Sequence, residues 1–292
     1  MKILAERLID AVASNNAGRL APGMCKVEDL LCGARLLQAA KNVAVITGFY
    51  VPTAEAPETD GPPGATVLAR ALSVWGKKIT IFTDSLNALA VEACCSALHI
   101  GAPQVIENPD DLFEKNIDLL VYIERLGAAS DGCYYNMRGE DISGFTAPLD
   151  KGAVLAQSRG IPVLAVGDGG NEVGMGLIYH DLAKVVPSFR KCLCAIGCDV
   201  LIPSDVSNWG AYALVALLSA LSGRWLGHTP EEERAMIDAM VKAGAVDGKT
   251  CQAVSSVDGF PASVHEDKIR EIKELFSEWE GSRKAPETVI ES

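Results

Sequence analysis

The stretch Val163-Leu-Ala-Val-Gly-Asp-Gly-Gly-Asn-Glu-Val-Gly-Met-Gly176 decides the fold. Its first four residues are apolar without alternation, as in a parallel strand covered on both faces. The chain then turns on glycines and presents Asp168, Asn171 and Glu172. The same pattern recurs on either side. Val43–Thr47, Ile79–Thr83, Leu119–Ile123 and Val200–Pro203 are short Val- and Ile-rich runs ending in turn-formers. Helix-length segments separate them, including Ala65–Trp75, Leu86–Leu98 and Lys151–Arg159. Strand-helix-strand repetition predicts an α/β fold, a doubly wound, mostly parallel sheet with helices on both faces.

The flanks read as helices. Met1–Asp10 has a charge every few residues, which assigns residues 1–20 to an N-terminal amphipathic helix. Pro230–Ala243 and His265–Glu280 form a helical C-terminal appendage over residues 228–280. Thr229 is its N-cap and Pro230 its first helical residue, with Glu231–Glu233 as solvated charge at the positive end of the helix dipole. Residues 281–292 read as a frayed tail. There is no internal repeat, low-complexity tract or long polar linker, so residues 1–292 are taken as a single α/β domain.

Composition narrows the function. The 292 residues carry 26 Lys and Arg against 38 Asp and Glu, a formal charge of −12. That excess argues against nucleic acid, which needs a basic footprint, and against anionic membrane surfaces. The most apolar stretch, Ala211–Leu221, is far shorter than the roughly twenty residues of a membrane span. The N-terminus lacks the apolar core of a signal peptide. Nine cysteines, an odd number without framework spacing, suggest free thiols in a reducing, cytoplasmic setting. Cys192 and Cys194 are expected to share one face of a strand, as buried packing rather than metal ligands. A homo-oligomer is compatible with all of this.

In open α/β sheets ligands bind at the carboxyl ends of the strands. Four runs have an acid within two residues of that end: Asp84, Glu124, Asp168 and Asp205. The loop after Val43–Thr47 adds Glu58 and Asp60. A single acid so placed reads equally as a helix cap, and Asp84 before Ser-Leu-Asn-Ala-Leu is the best case. Several on one rim repel, and need protons, basic partners or a metal. An oxygen-only cluster suits Mg²⁺ or Mn²⁺, with Glu58, Asp60, Asp168 and Glu172 as leading ligands.

Other motifs fail. A dinucleotide fingerprint starting at Gly167 would require glycine where Glu172 stands, so no nucleotide cofactor is expected. Pro62 and Pro63 have no N–H to cradle phosphate. No Walker A sequence and no G-x-S-x-G elbow occurs, and none of the four histidines sits in a triad context. The glycines from Gly167 to Gly176 instead let the backbone turn beneath a ligand while Asp168, Asn171 and Glu172 point into the site.

Four segments together resemble the D-glutamate cyclase C-terminal domain family. They are Pro57-Glu-Thr-Asp-Gly-Pro-Pro-Gly-Ala65, the block from Ile123-Glu-Arg125 through Tyr134-Tyr-Asn-Met-Arg-Gly-Glu-Asp-Ile-Ser143, Gly167–Gly176, and Ser207-Asn-Trp-Gly-Ala-Tyr-Ala-Leu214. The likeness runs from about Asn15 to about Phe276. It implies a standalone form of a domain that, in animal members, follows a region resembling a hydro-lyase. The implied activity is cyclisation of D-glutamate to 5-oxo-D-proline with loss of water.

The residue types suit that chemistry. The substrate amine must lose a proton and attack its own γ-carboxylate, a poor electrophile until its charge is neutralised. A carboxylate-held Mg²⁺ or Mn²⁺ would serve as Lewis acid. Glu172 or Glu124 is the candidate base, with Asp168 also in the catalytic set. Arg125 and Arg138 are candidates to grip the α-carboxylate, and Asn171, Tyr135 and Asn208 to contact substrate. Two rivals remain at this point. One is a Mn- or Mg-dependent phosphatase, whose phosphate ester is also a small anion. The other is a non-catalytic module binding an amino acid or metal.

Overall fold

The structure is a computed structural model that describes residues 1–15, 18 and 21–284. Six strands form the central sheet: β1 (Asn42–Thr47), β2 (Lys78–Thr83), β3 (Gln104–Val105), β4 (Leu119–Ile123), β5 (Val163–Gly167) and β6 (Val200–Pro203). They lie side by side in the order β3-β2-β1-β4-β5-β6, and every pairing is parallel. This is the 3-2-1-4-5-6 arrangement of two doubly wound halves, and it places the switch point between β1 and β4. Register across that junction is Val43 to Leu119 through Thr47 to Ile123.

Nine helices accompany the sheet among the described residues: α1 (Lys2–Val12), α2 (Val27–Ala39), α3 (Pro62–Val74), α4 (Ala88–Ala97), α5 (Lys151–Ser158), α6 (Tyr179–Val185), α7 (Ser207–Ser222), α8 (Pro230–Lys242) and α9 (Ala262–Lys284). Strand residues alternate between the two faces, so both need apolar side chains. Val43, Val45, Val121, Ile123, Leu164 and Val166 share a core with the large helical layer that includes α3 and α7. Ala44, Ile46, Leu120, Tyr122 and Ala165 meet the smaller layer containing α5. The doubly wound expectation is met, with helices on both faces. Among the described residues no helix is long and apolar enough to cross a membrane.

Helix α7 passes through the interior and is buried from Ser207 to Ala220. Gly223 stops it at φ 75°, a left-handed cap that glycine adopts without strain. Helix α8 opens with a capping box in which Thr229 and Glu232 satisfy each other's backbone N–H. Met236, Ile237 and Met240 of α8 and Ile269, Ile272 and Phe276 of α9 join the same core as the sheet.

Several boundaries differ from expectation. Helix α3 starts at Pro62, because the first turn needs no N–H from a proline. Helix α4 waits until Ala88, since Asp84 Oδ1 accepts from the backbone and side-chain N–H groups of Asn87 and makes a turn first. Cys192 and Cys194 are buried and all nine thiols are free. They occupy a loop with isolated bridges, Ala129 to Cys194 and Gly174 to Gly197, rather than a strand. Glu233, expected in solvent, is fully buried, with Oε2 held by Tyr212 and His228 at 2.7 and 2.8 Å. Helix α9 extends to Lys284, so residues 281–284 are helical, while residues 285–292 of the expected tail lie outside the described residues. Asn16, Ala17, Arg19 and Leu20, in the segment read as N-terminal helix, lie outside them too.

Candidate active site

At the switch point the chain departs from β4 through Glu124, whose φ of 45° is left-handed. A non-glycine residue there is strained by roughly 1–3 kcal/mol, and such strain concentrates at functional sites. The loop after β1 brings Asp60 beside it, and Asp168 follows β5 directly. Gly61 makes the close approach feasible. Its φ is 98°, and a Cβ there would lie 2.7 Å from Thr47 Oγ1 and 2.8 Å from Glu124 Cβ.

The buried start of α7 holds these acids. Asp60 Oδ1 accepts from the N–H groups of Gly61 and Asn208, and Oδ2 from that of Ser207, each at 3.0 Å. A carboxylate there satisfies backbone donors left open by the helix and complements its dipole. The Ser207 hydroxyl donates to Glu124 Oε2 at 2.5 Å.

Asp60, Glu124 and Asp168 each offer an oxygen within 4.8 Å of the other two, and all three are buried. Burial pushes the Glu124 carboxyl well above the ordinary carboxylate range, and the charges of Glu172, Asp60 and Glu58 push it the same way. The Ser207 hydrogen bond opposes this without reversing it. Converging, desolvated oxygens without sulfur or imidazole are a donor set that fits a hard divalent cation such as Mg²⁺ or Mn²⁺. The trio shares Asp60 and Asp168 with the expected ligands, but neither Glu58 nor Glu172 belongs to it. Glu124 joins Asp60 and Asp168, whereas the Glu172 oxygens accept from Gly169 N–H at 2.8 Å and Gly170 N–H at 2.7 Å.

A cavity of about 370 Å³ opens at this point. Of the candidate site residues, Glu58, Glu124, Asp168, Asn171, Glu172 and Arg138 line it. Asn171 also donates from Nδ2 to the Tyr135 carbonyl. Three other expected contacts are turned elsewhere. Arg125 is 1% exposed and outside the lining, its guanidinium bonded to Asp84 at 2.5 Å and to the carbonyls of Gly48 and Ala147. Tyr135 gives its hydroxyl to Asp131 at 2.8 Å. Asn208 Oδ1 accepts from the N–H groups of Gly61 and Gly64, tying α7 to the start of α3.

The cavity also contains residues that sequence reasoning missed. Lys249 and Asp258 enter from the segment between α8 and α9. Asp247 shapes that segment by accepting from the N–H groups of Lys249, Thr250 and Gly259 and from the Ser256 hydroxyl. The Asp-Gly-Lys-Thr turn at 247–250 was a visible signal for a loop, but not for its position over the sheet. The carboxylates are buried while Arg138 and Lys249 are exposed, so the cations face the solvent side. Arg138 Nη2 bonds to the Lys249 carbonyl at 3.3 Å, linking the two segments.

An all-parallel sheet with an acidic cavity at its switch point defines a doubly wound α/β protein whose candidate site lies where such folds bind ligands. The chain belongs to the family described as D-glutamate cyclase-like, C-terminal, whose profile matches residues 8–273. It is 34% identical over 228 residues to the human protein named D-glutamate cyclase, mitochondrial. That match covers 68% of this chain and 37% of the relative, so the chain spans little more than a third of that protein's length. Among solved structures it is similar to an exopolyphosphatase-related protein from Bacteroides fragilis, with a TM-score of 0.45 and 7% identity. That similarity covers 86% of this chain and 57% of the other.

Proposed function

We propose that this chain is a lyase of the D-glutamate cyclase type, converting D-glutamate to 5-oxo-D-proline with loss of water. The observation that carries the reading is the buried trio Asp60, Glu124 and Asp168 at the switch point of a chain from this family. A Mg²⁺ or Mn²⁺ ion held by those three would supply Lewis-acid neutralisation of the substrate's γ-carboxylate. The chain's own residues do the rest. Arg138 and Lys249 on the solvent side receive the α-carboxylate, and the buried acids attract the ammonium, so charge alone orients an amino acid. Glu172, held beside the trio by the Gly169 and Gly170 N–H groups and outside the set that would bind the ion, is the carboxylate left to take a proton from the ammonium. Holding the substrate folded back on itself replaces a search through extended conformers, which contributes through proximity.

The test is incubation of the purified chain with D-glutamate and either cation, followed by chiral chromatography for 5-oxoproline. Product is expected with Mn²⁺ or Mg²⁺. Its absence under both sinks the reading.

A further inference from the structure

The segment between α8 and α9 closes one side of the cavity, bringing Gly248, Lys249 and Asp258 to it. Its conformation hangs on one buried carboxylate. Asp247 Oδ1 accepts from the N–H groups of Lys249 and Thr250 at 3.0 and 2.8 Å. Oδ2 accepts from the Ser256 hydroxyl at 2.6 Å and from Gly259 N–H at 2.7 Å, so the two oxygens grip the two ends of the loop. Burial alone would raise the Asp247 carboxyl, but the bonds from Ser256, Thr250, Gly259 and Lys249 hold it below the ordinary carboxylate range. It stays charged, and hydrogen bonds to a charged group are roughly twice as strong as neutral ones.

The loop in turn carries Lys249 and Arg138. The Lys249 stem lies on Gly259, where a Cβ would sit 3.2 Å from Lys249 Cδ. Asp247 therefore fixes both the backbone of Lys249 and the residue beneath its side chain. Arg138 rests on the same turn. Its Nη2 bonds to the Lys249 carbonyl at 3.3 Å, and Nη1 and Nη2 each lie 3.7 Å from Cys251 Sγ. Cys251 is held in place by its N–H, which donates to the Asp247 carbonyl at 2.7 Å. On the cavity side, Gly248 passes so close to Glu58 that a Cβ would overlap Oε2.

We infer that Asp247 is a positioning residue for substrate binding, whose carboxylate sets where Lys249 and Arg138 meet the α-carboxylate of the amino acid. The inference rests on the cyclisation reading for the identity of that amino acid. Asp247 itself lies outside the cavity lining and acts through the two basic side chains. Long side chains on an unfixed base lose more freedom when a ligand binds, so order supplied in advance by the loop is gained as affinity. The effect belongs to binding rather than to the chemical step.

The experiment uses the whole chain with Mn²⁺, measuring D-glutamate affinity by titration calorimetry and 5-oxoproline formation in parallel. Asp247→Asn keeps the shape but puts an NH₂ group where an acceptor is needed. It is expected to weaken affinity and raise KM about tenfold, with kcat within about twofold of the parent. Lys249→Met is expected to weaken affinity about tenfold as well. The double variant separates positioning from general damage. Acting through Lys249, Asp247→Asn should cost less than about threefold in the Lys249→Met background, where independent effects would multiply to about a hundredfold. Ser256→Ala removes one bond to Asp247 and leaves the carboxylate. It takes the place of Asp247→Asn in the cycle if that variant does not fold, with an expected loss of about threefold alone and none beside Lys249→Met. Multiplying effects overturn the inference, as does unchanged affinity in Asp247→Asn and Ser256→Ala. If the parent binds D-glutamate without forming product, the cyclase reading falls and the inference stands or falls on the dissociation constants. A parent that binds no D-glutamate overturns both.

Discussion

The Ser207 hydroxyl donates to Glu124 Oε2 at 2.5 Å, across 83 positions of sequence. The bond joins the first residue of a buried helix to the strained residue at the end of a central strand. Ser207 also gives its N–H to Asp60, so one residue orients two of the three clustered carboxylates. Ser207→Ala keeps the N–H and removes the hydroxyl. Loss of such a supporting bond typically weakens metal affinity by about 10–100-fold. Titration calorimetry with Mn²⁺ is expected to show a loss in that range, with Ser207→Thr retaining most of the affinity. Equal affinity in Ser207→Ala and the parent would remove Ser207 from the site.

Asp168 sits within reach of two other buried carboxylates, and like charges that close are costly without a cation. Asp168→Asn removes one charge while keeping the shape. Added Mn²⁺ should then raise the melting temperature of the parent more than that of the variant. Cyclisation should fall by about 100-fold or more. Differential scanning fluorimetry and product assay together check this. A variant that Mn²⁺ stabilises as much as the parent and that keeps its activity would contradict both parts.

Arg125 and Arg138 were equivalent candidates as sequence, and the structure separates them. Arg125→Met strands Asp84, which is 2% exposed, so a stability loss of about 3–5 kcal/mol is expected in urea melts. Arg138 is exposed and lines the cavity. Arg138→Met should change stability by no more than about 0.5 kcal/mol, as usual for a surface substitution. Its effect should instead be a KM for D-glutamate raised about tenfold or more, from loss of a charge-assisted contact. The reverse pattern in the two variants would mean that Arg125 faces the substrate.

What could be read in advance follows from how local each signal is. Val43–Thr47 and Leu119–Ile123 were legible because a strand covered on both faces must be apolar throughout. Strand β3 is two exposed residues, Gln104 and Val105, defined only by pairing with Phe82 and Thr83. Asp60, Glu124 and Asp168 were found because ligand sites lie at strand ends, which sequence order locates. Arg125 follows Glu124 by one position, yet its partner Asp84 belongs to another strand end, and no spacing rule gives that. Glu233 looked like solvated dipole charge. Its burial depends on Tyr212 from α7 and on His228 folding back over the helix start. Lys249 depends on the path between two helices that wrap the core, which a one-dimensional pattern does not contain.

The contact between α9 and α7 should make the fold acid-sensitive. His265 is buried; Trp209 Nε1 donates to its Nδ1 at 3.0 Å, and its Nε2 faces the Val257 carbonyl at 3.2 Å. With Nδ1 accepting, the ring is neutral, and protonation would break the Trp209 bond. Burial lowers the His265 affinity for protons below its ordinary value of 6.5, although Glu233 and Asp258 pull the other way. The unfolded chain therefore binds a proton here at a higher pH than the folded one. Stability from this group is complete above about 6.5 and is lost as pH falls towards the lower folded value. Glu233 acts in the same direction at lower pH. Burial would raise its carboxyl, but the hydrogen bond and charge of His228, with His265 and Tyr212, hold it below its ordinary 4.5. Its contribution is lost as pH drops below that range. Melting temperature is accordingly expected to be flat from pH 8 to about 7, to decline from about 6.5, and to steepen below about 4.5. His265→Gln should melt lower at pH 7 but with a flatter profile between about 6.5 and 5, because no imidazole remains to take up a proton. An identical slope in parent and variant over that interval would show that His265 is not the group being titrated.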